Sequence, residues 1–151
     1  MRQSEAVERP GTSGTDDLVL DIPPQPEHAR TARLFAAAAA RHFAIDEERV
    51  EDLKVAISEA ATNAIKAHAD AGVDDPITVV ASAEPAGVRF TVIDAGRGFD
   101  PVEAEASSDY TPPAGLNEGT LGLALITALF PSSAIRRNEQ RGMTVSIPVE
   151  R

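Results

Sequence analysis

EDLKVAISEAATNAIKAHA, running from Glu51 to Ala69, is the stretch that decides the fold. At about 100° per residue, Leu53, Ile57, Ala60, Ala61, Ala64 and His68 fall on one side of a helix. Glu59, Asn63, Lys66 and Asp70 share a narrow arc on the opposite side. The pattern predicts a long amphipathic helix that starts at Asp46 and runs to about Ala71. Glu47 and Glu48 favour its dipole, and Gly72 is placed to end it. A solvated polar face with a Lys66–Asp70 pair accounts for the arc on its own. Asparagine is a mediocre helix former, however, so Asn63 one turn after Glu59 is an oddity. Read as a site, Asn63 offers a neutral oxygen to a hard cation and Glu59 a carboxylate that takes a proton or orients water. His68 is read as a packed core histidine.

Upstream, LVLDI at Leu18–Ile22 alternates apolar and polar residues, as a half-buried strand does, and Pro23-Pro24 closes it. A helix is predicted to open near Pro26 and to run through the alanine block Ala36–Ala40 to about Phe43. That block reads either as low complexity or as a close-packing helix face, and alanine's helix propensity favours the second. Residues 1–16 are polar, aperiodic and punctuated by Pro10, Gly11 and Gly14, and are read as a disordered tail.

Downstream, Ile77–Ala83 and Val88–Asp94 read as strands joined by the turn residues Glu84-Pro85-Ala86-Gly87. Phe99–Glu118 has little periodicity, and a loop of that length inside a domain is usually functional or a misread element. A third helix is expected over Gly119–Phe130, stopped by Pro131. Two closing strands, about Ala134–Asn138 and Met143–Val149, flank a turn at Gly142. The order predicts an α+β two-layer sandwich, one mostly antiparallel sheet with helices on one face.

Composition narrows the chemistry. With no cysteine among 151 residues, disulfide scaffolds, Cys-ligated metals and thiol nucleophiles are excluded. The three histidines, His28, His42 and His68, are scattered, which argues against a dedicated transition-metal site. A formal charge of -10 repels nucleic acid phosphates and anionic membrane, so neither is expected as a direct partner. It does not forbid an anionic ligand held by backbone N–H groups and a metal. No hydrophobic run suggests a signal peptide or a membrane span, and the expectation is a soluble cytoplasmic protein.

Two further motifs stand beside the Glu59–Asn63 pair. Asp94-Ala95-Gly96-Arg97-Gly98 follows an apolar strand. It is either a plain strand-ending turn or a place where glycines admit a flat ligand while a carboxylate accepts from an exocyclic amine. Glu118-Gly119-Thr120-Leu121-Gly122-Leu123 opens the third helix. Its glycines serve close packing, or its N–H groups and dipole serve a phosphate.

Taken together and in this order, Glu59-x-x-x-Asn63, Asp94-x-Gly96-x-Gly98 and Gly119-x-x-Gly122-Leu123 resemble the N, G1 and G2 boxes of the GHKL ATPases. Glu51–Ala69, VIDAGRGFDP (Val92–Pro101), YTPPAGLNEGTLGLALITALF (Tyr110–Phe130) and GMTVSIPV (Gly142–Val149) are similar to the anti-sigma-factor serine kinases of the RsbW and SpoIIAB type. The resemblance spans about residues 17–150 and implies the Bergerat fold. It assigns Glu59 as general base and Asn63 as the Mg²⁺ ligand. Asp94 would accept from the adenine N6 amine of ATP, with Gly96 and Gly98 beside the base. Thr144 would read the adenine through a water. Residues 99–118 would form the ATP lid, Thr111 would contact phosphate, and Gly119, Thr120, Leu121, Gly122 and Leu123 would cradle the phosphates.

The implied activity is a partner switch. The protein would sequester a sigma factor, phosphorylate a STAS-domain antagonist on Ser or Thr, and form a homodimer. A non-catalytic, ATP-gated binding module is the alternative, and a kinase-like regulator of another target is a third reading. Two positions depart from the family pattern. Thr120 stands where a second glycine is expected, and Ala67 where a histidine is frequent, with His68 one place later.

Overall fold

The computed structural model describes residues 17–96 and 118–151. Within them, β1 (Leu18–Ile22), β2 (Ile77–Glu84), β3 (Gly87–Ile93), β4 (Ala134–Arg137) and β5 (Met143–Glu150) form one sheet in the order β1-β2-β3-β5-β4. All neighbouring strands are antiparallel. Helices α1 (His28–His42), α2 (Glu47–Ala71) and α3 (Glu118–Leu129) complete the described elements. This is the α+β sandwich that the order of elements predicts. The tail, residues 1–16, and most of the proposed lid lie outside the described residues.

Strand alternation sets the layers. Leu18, Leu20 and Ile22 pair with Ala81, Val79 and Ile77, and Phe90 pairs with Ile147, so these apolar residues share one face. Helices α1 and α2 pack against the sheet, and α3 packs on α2. The core between the layers contains Ile22, Phe90, Ile147, Leu53 and Ile57, each almost fully buried. The other face carries polar pairs. Thr78 Oγ1 donates to Asp21 Oδ1 at 2.7 Å, and Arg89 bridges Glu84 (2.6 Å) and Ser146 Oγ (2.7 Å).

The alanine block is a packing surface. Ala32, Ala36, Ala37, Ala39 and Ala40 of α1 are buried, as are Ala56, Ala60, Ala61 and Ala64 of α2. Short side chains on both helices bring the two axes close, and alanine achieves this without losing side-chain entropy.

Both α1 and α2 end in the same reciprocal cap. At α2, Val73 N–H donates to His68 C=O (2.9 Å) and Gly72 N–H to Ala69 C=O (3.2 Å), with Gly72 at φ 68°. At α1, Ile45 N–H donates to Ala40 C=O and Ala44 N–H to Arg41 C=O, both at 3.0 Å, and the left-handed residue is Ala44 at φ 65°. That is the Schellman arrangement, which favours glycine at the left-handed position. A Cβ there costs roughly 1–2 kcal/mol. The two caps therefore make opposite predictions. Ala44→Gly should stabilise the protein by up to about 1 kcal/mol, and Gly72→Ala should destabilise it by about 1 kcal/mol. Urea unfolding reads both, and a clear loss of stability in Ala44→Gly would contradict the assigned strain.

Candidate functional site

The polar arc of α2 faces α3 across a cleft of about 700 Å³ lined by Glu59, Thr62, Asn63, Lys66, Leu121, Gly122, Ala124 and Leu125. The helices can approach here because Gly122 has no side chain. A Cβ on it would lie 2.5 Å from Glu59 Oε1 and 3.5 Å from Asn63 Nδ2. The fold therefore brings the first and third sequence motifs together, with Gly122 directly against both polar residues of the first. Gly119 and Thr120 lie in the first turn of α3, where helix geometry leaves backbone N–H groups without intrahelical partners. Leu121 is 61% exposed at the cleft, whereas the Leu123 side chain is buried in the core and does not line the cleft.

The second motif is built around Asp94, at the end of β3. Its carboxylate is buried, and Oδ1 accepts from Gly96 N–H (3.0 Å) and Met143 N–H (3.1 Å). Its own N–H donates to Met143 C=O at 2.9 Å, and its carbonyl accepts from Asn138 Nδ2 at 3.0 Å. Gly142, at φ 92°, packs on that carbonyl so closely that a Cβ would collide with it. Burial pushes the Asp94 carboxyl above the usual aspartate range, opposed by the Gly96 and Met143 N–H groups and by the nearby His68. Among the described residues both carboxylate bonds fall on Oδ1, so Oδ2 is the oxygen placed to accept from a ligand.

Gly96 has a packing role. A Cβ on it would lie 2.6–2.8 Å from Ala67 atoms of α2, so the turn sits directly on that helix. The Ala67 departure thus lies beneath the turn. Beside it, His68 is more than the core histidine that periodicity suggests, because Nε2 accepts from Ala95 N–H at 2.8 Å. Thr144 lies on β5 opposite Ile93 and donates its hydroxyl to Asn138 Oδ1. Its proton is therefore committed within the protein, and only its lone pairs remain for a water or a base. Gly98 and Thr111 lie outside the described residues, as does Arg97. Sequence reasoning missed Asn138 and the Met143 amide. Asn138 follows β4 in a turn-rich stretch, and its partners are set only by strand pairing.

Among the described residues no group of three or more His, Cys, Asp or Glu side chains could cage a metal. A hard cation here would rest on the Asn63 oxygen and on ligand oxygens, which suits hydrated Mg²⁺. No described helix is long and apolar enough to cross a membrane.

Comparison with known proteins identifies the family. The histidine kinase-like ATPase domain family matches residues 22–148. The chain is 30% identical over 137 residues to the serine-protein kinase RsbW of Oceanobacillus iheyensis, covering 88% of this chain and 85% of that one. It is 35% identical over 123 residues to RsbW of Listeria monocytogenes, covering 76% of each. A solved Mycobacterium tuberculosis structure of RsbU and RsbW domains superposes with a TM-score of 0.63 at 23% identity. That match covers 88% of this chain and 31% of the other, and it bears on the fold alone. The chain belongs to the histidine kinase-like ATPase domain family, in its RsbW-type branch.

The raised Asp94 titration carries a signed prediction. A folded-state value above the unfolded one means that Asp94's contribution is fully present below the unfolded value and lost as pH rises through the folded value. Ionising the buried carboxylate is therefore a net cost to the folded state. Asp94→Asn keeps an Oδ1 acceptor for Gly96 and Met143, so its urea midpoint at pH 7 should equal or exceed that of the native protein. A marked fall in that midpoint would show that the charge itself stabilises the turn.

Proposed function

We propose that this RsbW-type protein binds ATP with Mg²⁺ in the α2–α3 cleft, sequesters a sigma factor, and phosphorylates a serine or threonine of a STAS-domain antagonist in a partner switch. The observation that carries the proposal is the placement of Glu59 and Asn63 one turn apart on the cleft wall, with Gly122 against both. The setting is cytoplasmic, and the working unit is a homodimer, as in the resemblance above.

The chain's own groups divide the work. Asp94 Oδ2 accepts from the adenine amine, while guanine would bring its O6 acceptor to the same oxygen and leave both unpaired. The backbone at Gly119 and Thr120 receives phosphate oxygens at the helix N-terminus. Asn63 holds the metal, which supplies charge neutralisation when bound. Lys66 lines the same cleft and adds positive charge. Glu59 takes the hydroxyl proton as the acceptor oxygen bonds to the γ-phosphorus and the bond to ADP breaks.

Kinase assays with a cognate antagonist test the roles separately. Glu59→Gln should keep ATP and sigma-factor binding while phosphorylation falls by at least about 10²-fold. Asn63→Ala should lose Mg²⁺-dependent nucleotide binding and phosphorylation together. Wild-type rates in Glu59→Gln would exclude it as the base, and a native protein that never phosphorylates the antagonist would favour an ATP-gated binding module.

Gly122→Ala provides an independent test. The added Cβ meets the mobile end of Glu59, so the fold should tolerate it with little change in melting temperature. The displaced carboxylate should lower phosphorylation by about 10²-fold, the usual cost of a misplaced catalytic group. A native rate in this variant would mean that Glu59 does not need its observed position.

A further inference from the structure

We propose that His68 is a positioning residue that holds the Asp94 turn through its neutral imidazole, so that nucleotide affinity depends on His68 remaining unprotonated. The inference rests on the ATP reading above only for that consequence. The bond to Ala95 is present in the protein without ligand.

The geometry fixes the tautomer. Ala95 N–H donates to Nε2 at 2.8 Å, so Nε2 carries no proton and Nδ1 must carry one. The ring is fully buried, and Nδ1 has no hydrogen-bond partner among the described residues. A buried donor left unpaired is unfavourable. An apolar side chain would fill the same volume without that cost. What imidazole adds is the Nε2 acceptor, aimed at the residue between Asp94 and Gly96. The adjacent residue, Ala67, lies beneath Gly96, so consecutive residues of α2 seat two successive residues of the turn. His68 also anchors the end of its helix, since its carbonyl accepts from Val73 N–H at 2.9 Å. The ring and the helix cap thus hold one another in place.

Protonation inverts the contact. Imidazolium is a donor at both nitrogens, so Nε2–H would face the Ala95 N–H and the bond could not survive. Charged groups lie near the ring. Asp94, at the end of β3, is its electrostatic neighbour. Arg137 and Arg141, on the β4–β5 hairpin, line a cavity with Ala71 and Gly96. The residues one turn from His68, Ala64, Ile65 and Ala71 on α2 and Gly72 in its cap, do not titrate. Losing the Ala95 bond would free the turn that aims Asp94 at the base, while Glu59 and Asn63 on the upper part of α2 would stay in place.

Two measurements test this. In the ligand-free protein, imidazole ¹⁵N shifts and Ala95 amide exchange should show a neutral ring with the proton on Nδ1 and a protected Ala95 amide. Protection should persist in His68→Gln, whose amide oxygen reaches the Nε2 position, and be lost in His68→Ala. Amides in the middle of α2 report whether the alanine variant is folded. Calorimetric titration with Mg·ATP should then show native affinity falling by about tenfold or more between about pH 7.5 and pH 5.5. The His68→Gln protein should fall by much less over the same range. Comparing the two removes the acid response of Asp94, which both proteins share.

An Nε2-protonated ring, an unprotected Ala95 amide or identical pH profiles in native and His68→Gln proteins would overturn the proposal. A native protein with the predicted ring and amide signals but no nucleotide binding at any pH would support the positioning bond and overturn the ATP reading instead.

Discussion

The constraint on which the site depends is the buried carboxylate of Asp94. One oxygen gathers the N–H of Gly96, in its own turn, and that of Met143, at the start of β5, while the Asp94 backbone exchanges a further bond with Met143 and receives one from Asn138. This is a charged side chain satisfied almost entirely by main chain. Burying it is unfavourable, and the upward displacement of its titration expresses that cost. The return is a rigid strand end. Gly142 has to be glycine here on two counts, its positive φ and the lack of room for a Cβ against the Asp94 carbonyl.

Helix α2 converts that local knot into a complete site. Its apolar stripe is buried between α1 and the sheet, which fixes the rotation of the helix about its axis. Once that rotation is set, the direction of every polar residue follows. Glu59 and Asn63 must face α3, and Ala67 and His68 must lie beneath the Asp94 turn. A 25-residue helix thus joins two chemically distinct regions, one that the proposal gives to a metal and phosphates and the other to a base. Small residues make both junctions possible, with Gly122 at the first and Ala67 with Gly96 at the second.

Much of this was legible in the sequence because periodicity reports directly on burial. The strand at Leu18–Ile22, the termination of α2 at Gly72 and the alanine face of α1 all follow from local rules. What was not legible depends on contacts between residues far apart in the chain. Periodicity places His68 on the buried side but does not reveal that its ring meets Ala95, which lies 27 positions away. Gly96 reads as room for a ligand, yet its hydrogen occupies space that Ala67 leaves free. Leu123 belongs to a ligand motif by spacing and to the core by position. Ala44 breaks the rule that a left-handed cap is glycine, so the left-handed residue after α1 carries no sequence signal, although the end of the helix near Phe43 does.

The net charge of -10 appears at odds with a polyphosphate ligand, and the arrangement of the chain resolves the conflict locally. Exposed charges separated by more than about 10 Å are largely screened at 0.1 M salt, so the potential felt by a phosphate depends on its immediate surroundings. At the proposed cleft these include Lys66, the neutral amide of Asn63 and the positive end of α3. The acidic group on the wall is Glu59, whose charge would repel a bare triphosphate. A divalent cation bound between them would change the sign of that interaction and leave the carboxylate available to accept a proton. Under the proposed function, a site with this composition would favour the metal–nucleotide complex over the free nucleotide, because the cation would supply the positive charge that the chain itself provides only sparingly.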